Sequence, residues 1–176
     1  MKKIALTLFY IVFFLAALLF FTPKESIYYY VEEQLKPLGI ILAQEEAVDR
    51  GFSLEIEHAK LYVQKIKSAN IARIRVTLLG LYNTVSVDNI VLDKTFEQFF
   101  PPLVEHLEVT QSILAPTKVS ASASGDFGTA TASIHLVDRN GTVVLTPSKS
   151  MRSRYKNTLR QLKRTTTGDY RYDFKF

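Results

Sequence analysis

Residues 4–21 read IALTLFYIVFFLAALLFF, a run without a single charge and with only Thr7 and Tyr10 as polar interruptions. At about 1.5 Å per residue the run spans about 27 Å as a helix, close to a hydrocarbon core of about 30 Å. A secretory signal peptide has an apolar region of about 7–15 residues and ends at a small-x-small site. Here bulky Leu19, Phe20 and Phe21 lead straight into Thr22-Pro23-Lys24. The expectation is an uncleaved membrane anchor over residues 1–22. Lys2 and Lys3 favour a cytoplasmic N-terminus, which in a Gram-negative cell places the body of the protein in the periplasm.

Beyond the anchor, roughly 150 residues remain, enough for one domain with one core. Thr22-Pro23-Lys24-Glu25 has the composition of a helix start. Thr22 is placed to cap, Pro23 suits the first helical position, and Glu25 can reach back to the cap amide. The helix is expected to run through SIYYYVEEQLK and to stop before Pro37, giving a juxtamembrane segment over residues 23–37. Tyr28, Tyr29 and Tyr30 fit an interfacial belt or packing on the domain, since the ring is apolar and the hydroxyl seeks water.

From Gly39 the period falls to two, and residues 38–176 read as one β-rich domain. Leu54 and Ile56 alternate with Glu55 and Glu57. Leu61 and Val63 alternate with Tyr62 and Gln64. Ile74, Val76 and Leu78 alternate with Arg73, Arg75 and Thr77. Val85 and Val87 alternate with Ser86 and Asp88. Each is a half-buried antiparallel strand by pattern, whereas Ile40–Leu42 is short and ambiguous. KTFEQFFPP at 94–102 interrupts the series as a short helix or loop. A second block follows: Leu103 to Leu114, then Val119, Ala121 and Ala123 between serines, then Ala130, Ala132, Ile134 and Leu136 between polar residues. Asp138-Arg139-Asn140-Gly141 supplies a hairpin turn, with Thr142–Leu145 returning. After Pro147, KSMRSRYKNTLRQLKR predicts a helix whose Tyr155, Leu159 and Leu162 form an apolar stripe. The last strand places Tyr170, Tyr172, Phe174 and Phe176 on one face, expected to be core, and Arg171, Asp173 and Lys175 on the other.

The expected fold is therefore an N-terminal transmembrane helix followed by a mainly antiparallel β domain, a curled sheet or a β-sandwich-like arrangement, with a short basic helix before the last strand.

The chain has no cysteine, which excludes disulfides, thiolate metal sites, a Cys nucleophile and a lipoprotein anchor. His58, His106 and His135 are isolated in sequence. Gly-rich phosphate loops, zincin motifs, nucleophile elbows and EF-hand loops are absent. Glu45, Glu46 and Asp49 can fall near one another, as can Glu55 and Glu57, and ordinary exposure accounts for them. The expectation is a protein without catalytic residues, cofactor or metal. The charge is informative: Lys149, Arg152, Arg154, Lys156, Arg160, Lys163 and Arg164 occur with no acidic residue among them, whereas residues 25–57 are acid-rich. The basic helix can lie on anionic lipid, dock an acidic partner, or be a solvated face. Arg152, Lys156, Arg160 and Lys163 are the candidate contacts. Nucleic acid is disfavoured by the anchor and the compartment.

Phe21-Thr22-Pro23 with SIYYYVEEQL, the strand SLEIEHAKLYV, the later VSVDNIVL, and the ending GDFGTATASIHLVDRNGTVVLTPSKSM, basic helix and GDYRYDFKF together resemble the type II secretion protein N family. That family is related to the AsmA-like envelope proteins, whose β-sheets curl into an apolar groove. The resemblance covers most of the chain, which is short for the family, and is one of pattern. It implies a bitopic inner-membrane protein serving secretion or envelope assembly through protein partners. A lipid-handling module, AsmA-like or similar to the single-anchor β proteins of lipopolysaccharide export, is the alternative.

Overall fold

The computed structural model describes residues 2–43 and 45–176, without the Ile27 side chain. Helix α1 (Lys2–Phe21) is long and apolar enough to cross a membrane, and none of it is buried. Helix α2 (Lys24–Leu35) follows at once, and a 3₁₀ turn over Lys36–Leu38 carries Pro37. The expected cap at Thr22 does not form. The Thr22 hydroxyl instead donates back to the Leu18 carbonyl at 2.7 Å, and no side chain of the N-cap residue Pro23 can cap. The cap comes from the sheet: Asp49 Oδ2 accepts the Lys24 backbone N–H at 3.2 Å, and Asp49 Oδ1 accepts that of Gly51 at 2.8 Å.

Lys24 is only 2% exposed, an unusual state for a lysine. Its ammonium donates to the carbonyls of Leu19 and Thr22 at 3.0 Å and Phe20 at 3.4 Å, and stands 3.7 Å from Asp49 Oδ1. These carbonyls belong to the last turn of α1 and the residue after it, where the helix leaves acceptors unpaired and carries partial negative charge. One lysine thus caps α1 while one aspartate caps α2, and the pair ties the junction of the two helices to the sheet. Phe20 packs edge-on against Phe52, ring centroids 5.3 Å apart, and a Cβ on Gly51 would collide with the Phe20 ring.

The remaining chain forms one antiparallel sheet of eleven strands that does not close on itself: β1 (Ile40–Ala43), β2 (Glu46–Asp49), β3 (Ser53–Val63), β4 (Ile66–Leu78), β5 (Tyr82–Leu92), β6 (Leu103–Ser112), β7 (Lys118–Gly125), β8 (Gly128–His135), β9 (Asn140–Pro147), β10 (Lys163–Arg164) and β11 (Tyr170–Lys175). From β3 to β9 it is a simple meander; β11 then pairs with β9, β10 flanks β11, and β1 and β2 share the outer edge of β3. The turns joining β2–β3, β4–β5, β6–β7 and β8–β9 lie at the end of the sheet where α1 arrives, here called the near end.

Register makes each cross-strand row uniform. One row runs Ile56, Ile74, Val87, Leu107, Ala123, Ala130, Leu145, Tyr170, and the next runs Leu54, Val76, Val85, Val109, Ala121, Ala132, Val143, Tyr172. Between them, on the opposite face, lie Glu55, Arg75, Ser86, Glu108, Ser122, Thr131, Val144 and Arg171. One face is apolar across eight strands and the other is charged and hydroxylated.

Strand β3 includes both alternating runs that the sequence separates. Its inward residues are even-numbered to Ile56 and odd-numbered from Ala59, so Glu57 and His58 both face away from the apolar side, with His58 at φ 57°. The same doubled step falls at Ala72-Arg73, Asp88-Asn89 (Asn89 φ 53°) and Glu105-His106, each in register with its neighbour. The steps match from β3 to β6, the β6 step is taken up as a bulge against β7, and the apolar face continues as Ala59, Ile71, Ile90 and Val104. Residues 66–72 belong to β4, although their sequence shows little alternation. The β3–β4 hairpin turns on Gln64 and Lys65, both at positive φ without a glycine. At β8–β9 the turn is Leu136–Arg139 with Arg139 at φ 48°; Asn140 and Gly141 sit in β9, and the Phe174 ring lies over Gly141.

The expected C-terminal helix is broken. Helix α3 (Lys149–Arg154), capped by Ser148 Oγ accepting from Met151 N at 3.1 Å, meets helix α4 (Lys156–Leu159) at Tyr155, and Lys163 and Arg164 have left the helix for β10. The stripe still packs: Leu159 is buried with Met151 and Leu145, and Tyr155, Leu162 and Tyr170 surround them. The four terminal aromatics do share a face, but no closed core forms over them, and Tyr172 is 51% exposed.

Replacing Asp49 by Ala removes the cap of α2 and the partner of Lys24. The expected loss is about 1–2 kcal/mol, at the upper half of the range for a lost cap, measured by chemical denaturation of the purified chain in detergent. Burial alone would raise the Asp49 carboxyl, but the Gly51 and Lys24 N–H donors and the Lys24 ammonium outweigh it and hold it below its ordinary 3.8. Its contribution is therefore present above pH 3.8 and lost as pH falls through the lower folded value.

Candidate functional site

The apolar face is covered at its two ends and open between them. At one end α2 packs on β1, β2 and β3, and Tyr28 joins the cluster of Leu54, Ile56, Ala59, Ile71, Ile74 and Val87. Its hydroxyl donates to Glu45 Oε1 at 3.3 Å, and burial and the carboxylates of Glu45 and Glu32 push its phenol well up. Tyr29 and Tyr30, in contrast, stay exposed. At the other end α3 packs on β9. Strands β6, β7 and β8 lie between, and their inward residues, Leu107, Val109, Ala121, Ala123, Ala130 and Ala132, are half-buried.

An apolar hollow of about 370 Å³ opens on this face. Val104, Ala130, Val143, Leu145, Tyr170 and Tyr172 form its floor, and Phe100, Pro101, Met151 and Leu162 form its walls. The walls come from the 93–102 loop and the α3–α4 segment, tied by Thr158 Oγ1 donating to the Phe99 carbonyl at 2.8 Å. Ala130 helps to make the space, because a methyl stops short where a Leu or Val would fill it. The only polar pair on the path from the hollow to the near end, among the described residues, is Asn83 donating to Gln111 at 3.1 Å.

The opposite face is a lattice of cross-strand pairs. Glu55 Oε1 accepts from Arg73 and Arg75, both at 3.1 Å, Glu55 Oε2 stands 3.4 Å from Arg50, and Arg73 also reaches Glu57 at 3.1 Å. Hydrogen bonding from Arg75 holds the Glu55 carboxyl below the ordinary carboxylate range. His106 Nδ1 lies 2.7 Å from Asp88 and Nε2 3.6 Å from Glu108. These are exposed pairs with a structural use, aligning neighbouring strands. His58 is exposed beside the doubled step, and His135 lies at the near end of β8.

The basic segment sits at the far end of the sheet. Arg152, Lys156, Arg160 and Arg164 line a hollow of about 420 Å³ floored by Leu159, Leu162, Gly168 and Tyr170. Three of the four candidate contacts are thus brought together. Lys163 is not among the lining residues; it pairs with Arg171 at the sheet edge, and Arg164 takes the fourth position. Sequence periodicity missed this because it assumed one unbroken helix.

Among the described residues no three His, Asp or Glu side chains gather as a metal site. No protein-family model, curated protein or solved structure matches the chain.

The hydrogen bond to Asp88, aided by Glu108, raises His106 above its ordinary 6.5. Replacing Asp88 by Asn is expected to bring the His106 midpoint back down toward 6.5, followed by NMR of the imidazole protons. What His106 adds to stability is full below pH 6.5 and fades as pH rises through the raised value. A midpoint unmoved by the substitution would remove Asp88 as the cause.

Proposed function

We propose that this chain is a non-enzymatic, single-pass protein of the bacterial inner membrane whose periplasmic sheet holds lipid acyl chains on its open apolar face. The observation that carries the reading is the uncovered middle of two eight-strand apolar rows, deepened by the hollow walled by Phe100, Pro101, Met151 and Leu162. A face of that extent is not left open to water without a ligand or partner. The resemblance to AsmA-like and type II secretion protein N sequences supports a place in envelope assembly. It also supports reading the sheet as curled around its apolar side.

The basic hollow supports a second contact, with an acidic protein partner. It lies beyond Pro147, at the far end of β9, and eight residues at about 3.3 Å set that end about 26 Å from the near end. Screening over about 8 Å at physiological ionic strength removes attraction to head groups of the membrane that holds α1. A partner of a secretion or assembly machine approaching from the periplasmic side meets these charges first.

A photoreactive benzoylphenylalanine at Tyr172 or Ile134 is expected to yield lipid adducts in cells by mass spectrometry, and one at Thr131, on the opposite face, none. Protein adducts alone at the apolar positions would replace the lipid reading with a scaffold. Changing Arg152, Lys156, Arg160 and Lys163 to Gln is expected to leave the circular dichroism intact and to weaken partner association in pull-downs at low salt. Sparing Lys163 is expected to cost little of that effect, because Arg164 and not Lys163 lines the hollow.

A further inference from the structure

Each near-end turn exposes large apolar side chains. The β4–β5 turn is Leu79-Gly80-Leu81, with Leu81 70% exposed; the β6–β7 turn holds Ile113 and Leu114, with Leu114 93% exposed; the β8–β9 turn holds Leu136 and Val137, with Val137 74% exposed. Turns ordinarily carry polar residues, and residues 79–81 and 113–117 contain no charge at all.

These turns stand side by side. Leu78 N donates to Phe52 O at 3.1 Å, Ile113 N to Leu81 O at 3.0 Å, and Leu136 N to Thr117 O at 2.8 Å, so backbone hydrogen bonds link each turn to the next strand pair. The rim they form begins where α1 ends: Phe20 packs on Phe52, and a Cβ placed on Gly80 would stand 3.6 Å from a Leu19 methyl. The cations next to the rim are Arg50, Lys118, Arg139 and Lys175, against the acids Asp49, which the Lys24 ammonium faces at 3.7 Å, and Asp138. Apolar tips backed by basic residues match an anionic membrane interface, with tips among the upper acyl chains and cations among head groups.

We infer that this rim is a second membrane contact, in which Leu81, Leu114 and Val137 enter the bilayer that holds α1 and stand the sheet on its near end. The inference rests on α1 being a retained anchor and does not require that the apolar face bind lipid. The bilayer is favoured over another occupant because the rim is continuous with the last turn of α1. The contact also brings the Asn83–Gln111 pair and the open apolar face above it to the head-group level.

The chain has no cysteine, so single environment-sensitive labels report each position. The full chain, reconstituted into phosphatidylethanolamine–phosphatidylglycerol vesicles, is labelled at Leu81→Cys, Leu114→Cys or Val137→Cys. Phe21→Cys serves as the anchor reference, and Lys65→Cys and Asp126→Cys mark the far end. Shallow spin-labelled lipids then quench the labels, after circular dichroism confirms folding. The rim labels are expected to shift to the blue and lose emission as the Phe21 position does, while the far-end labels stay water-like. A quenched Phe21 position with water-like rim labels overturns the rim contact and leaves the anchor standing. Blue-shifted rim labels that lipid quenchers do not touch report burial against protein, and overturn it in favour of self-association. A water-like Phe21 position overturns the anchor reading and this inference with it.

Discussion

Everything in this molecule depends on keeping the side-chain phase of one sheet in step across eight strands. A strand alternates with a period of two, so a slip of one residue moves a whole apolar set to the wrong face. Here the rows from Ile56 to Tyr170 and from Leu54 to Tyr172 stay apolar throughout. The phase even changes mid-strand without loss. Glu57-His58, Ala72-Arg73, Asp88-Asn89 and Glu105-His106 each place two residues on the polar side at the same level. A doubled step in one strand alone would put His58 against a mismatched neighbour; four in register carry the ladder from β3 to β6, and the mismatch is taken up as a single bulge between β6 and β7. The positive φ of His58 and Asn89 is the local strain this costs, and Asn tolerates it better than most residues.

That coordination explains which parts of the fold are legible in the sequence. The even-numbered run Leu54–Ile56 and the odd-numbered run Leu61–Val63 look like two strands because parity breaks at His58, while backbone pairing runs straight through. Residues 66–72, IKSANIA, show no clean alternation because the same step falls at their end, a register shift separates Lys67 from Ala69, and two of their three buried members, Ser68 and Ala69, are small. The near-equal alternation of 119–123 and 130–134 survives intact because no step crosses β7 and β8. Gln64-Lys65 carries no turn signal, yet two positive φ values close a two-residue hairpin there. The Asn140-Gly141 signal names a turn two residues too late, and Gly141 instead lies under the Phe174 ring.

The basic segment failed for a different reason. Its Tyr155, Leu159 and Leu162 spacing is helical, and those residues do reach the cluster around Leu145. Tyr155, at φ −112° and ψ 37°, interrupts the helix, and Met151, one turn before it on the same face, is the segment's most buried residue. The Asp49–Lys24 latch was beyond reach as well. Asp49 reads as one more exposed acid, and its partner sits 25 residues earlier. Only the pairing of β2 with β3 carries it to the helix junction.

The two faces also explain why the sheet is tolerated as an open structure. An open sheet exposes backbone at its edges, and both edges here are shortened: β1 and β2 have four residues each, and β10 has two. What remains uncovered is the middle of the apolar face, where Ala121, Ala123, Ala130 and Ala132 bury less area per residue than the Leu, Ile and Val of β3–β5. A helix laid there would gain little from such shallow contacts. The two covers are placed where large side chains reward them, with Tyr28 of α2 against the cluster that includes Leu54, Ile56, Ile71 and Ile74, and Met151 and Leu159 against Leu145. The alanine strip between them is therefore consistent with space kept for a removable occupant, since a permanent cover would select for larger residues beneath it.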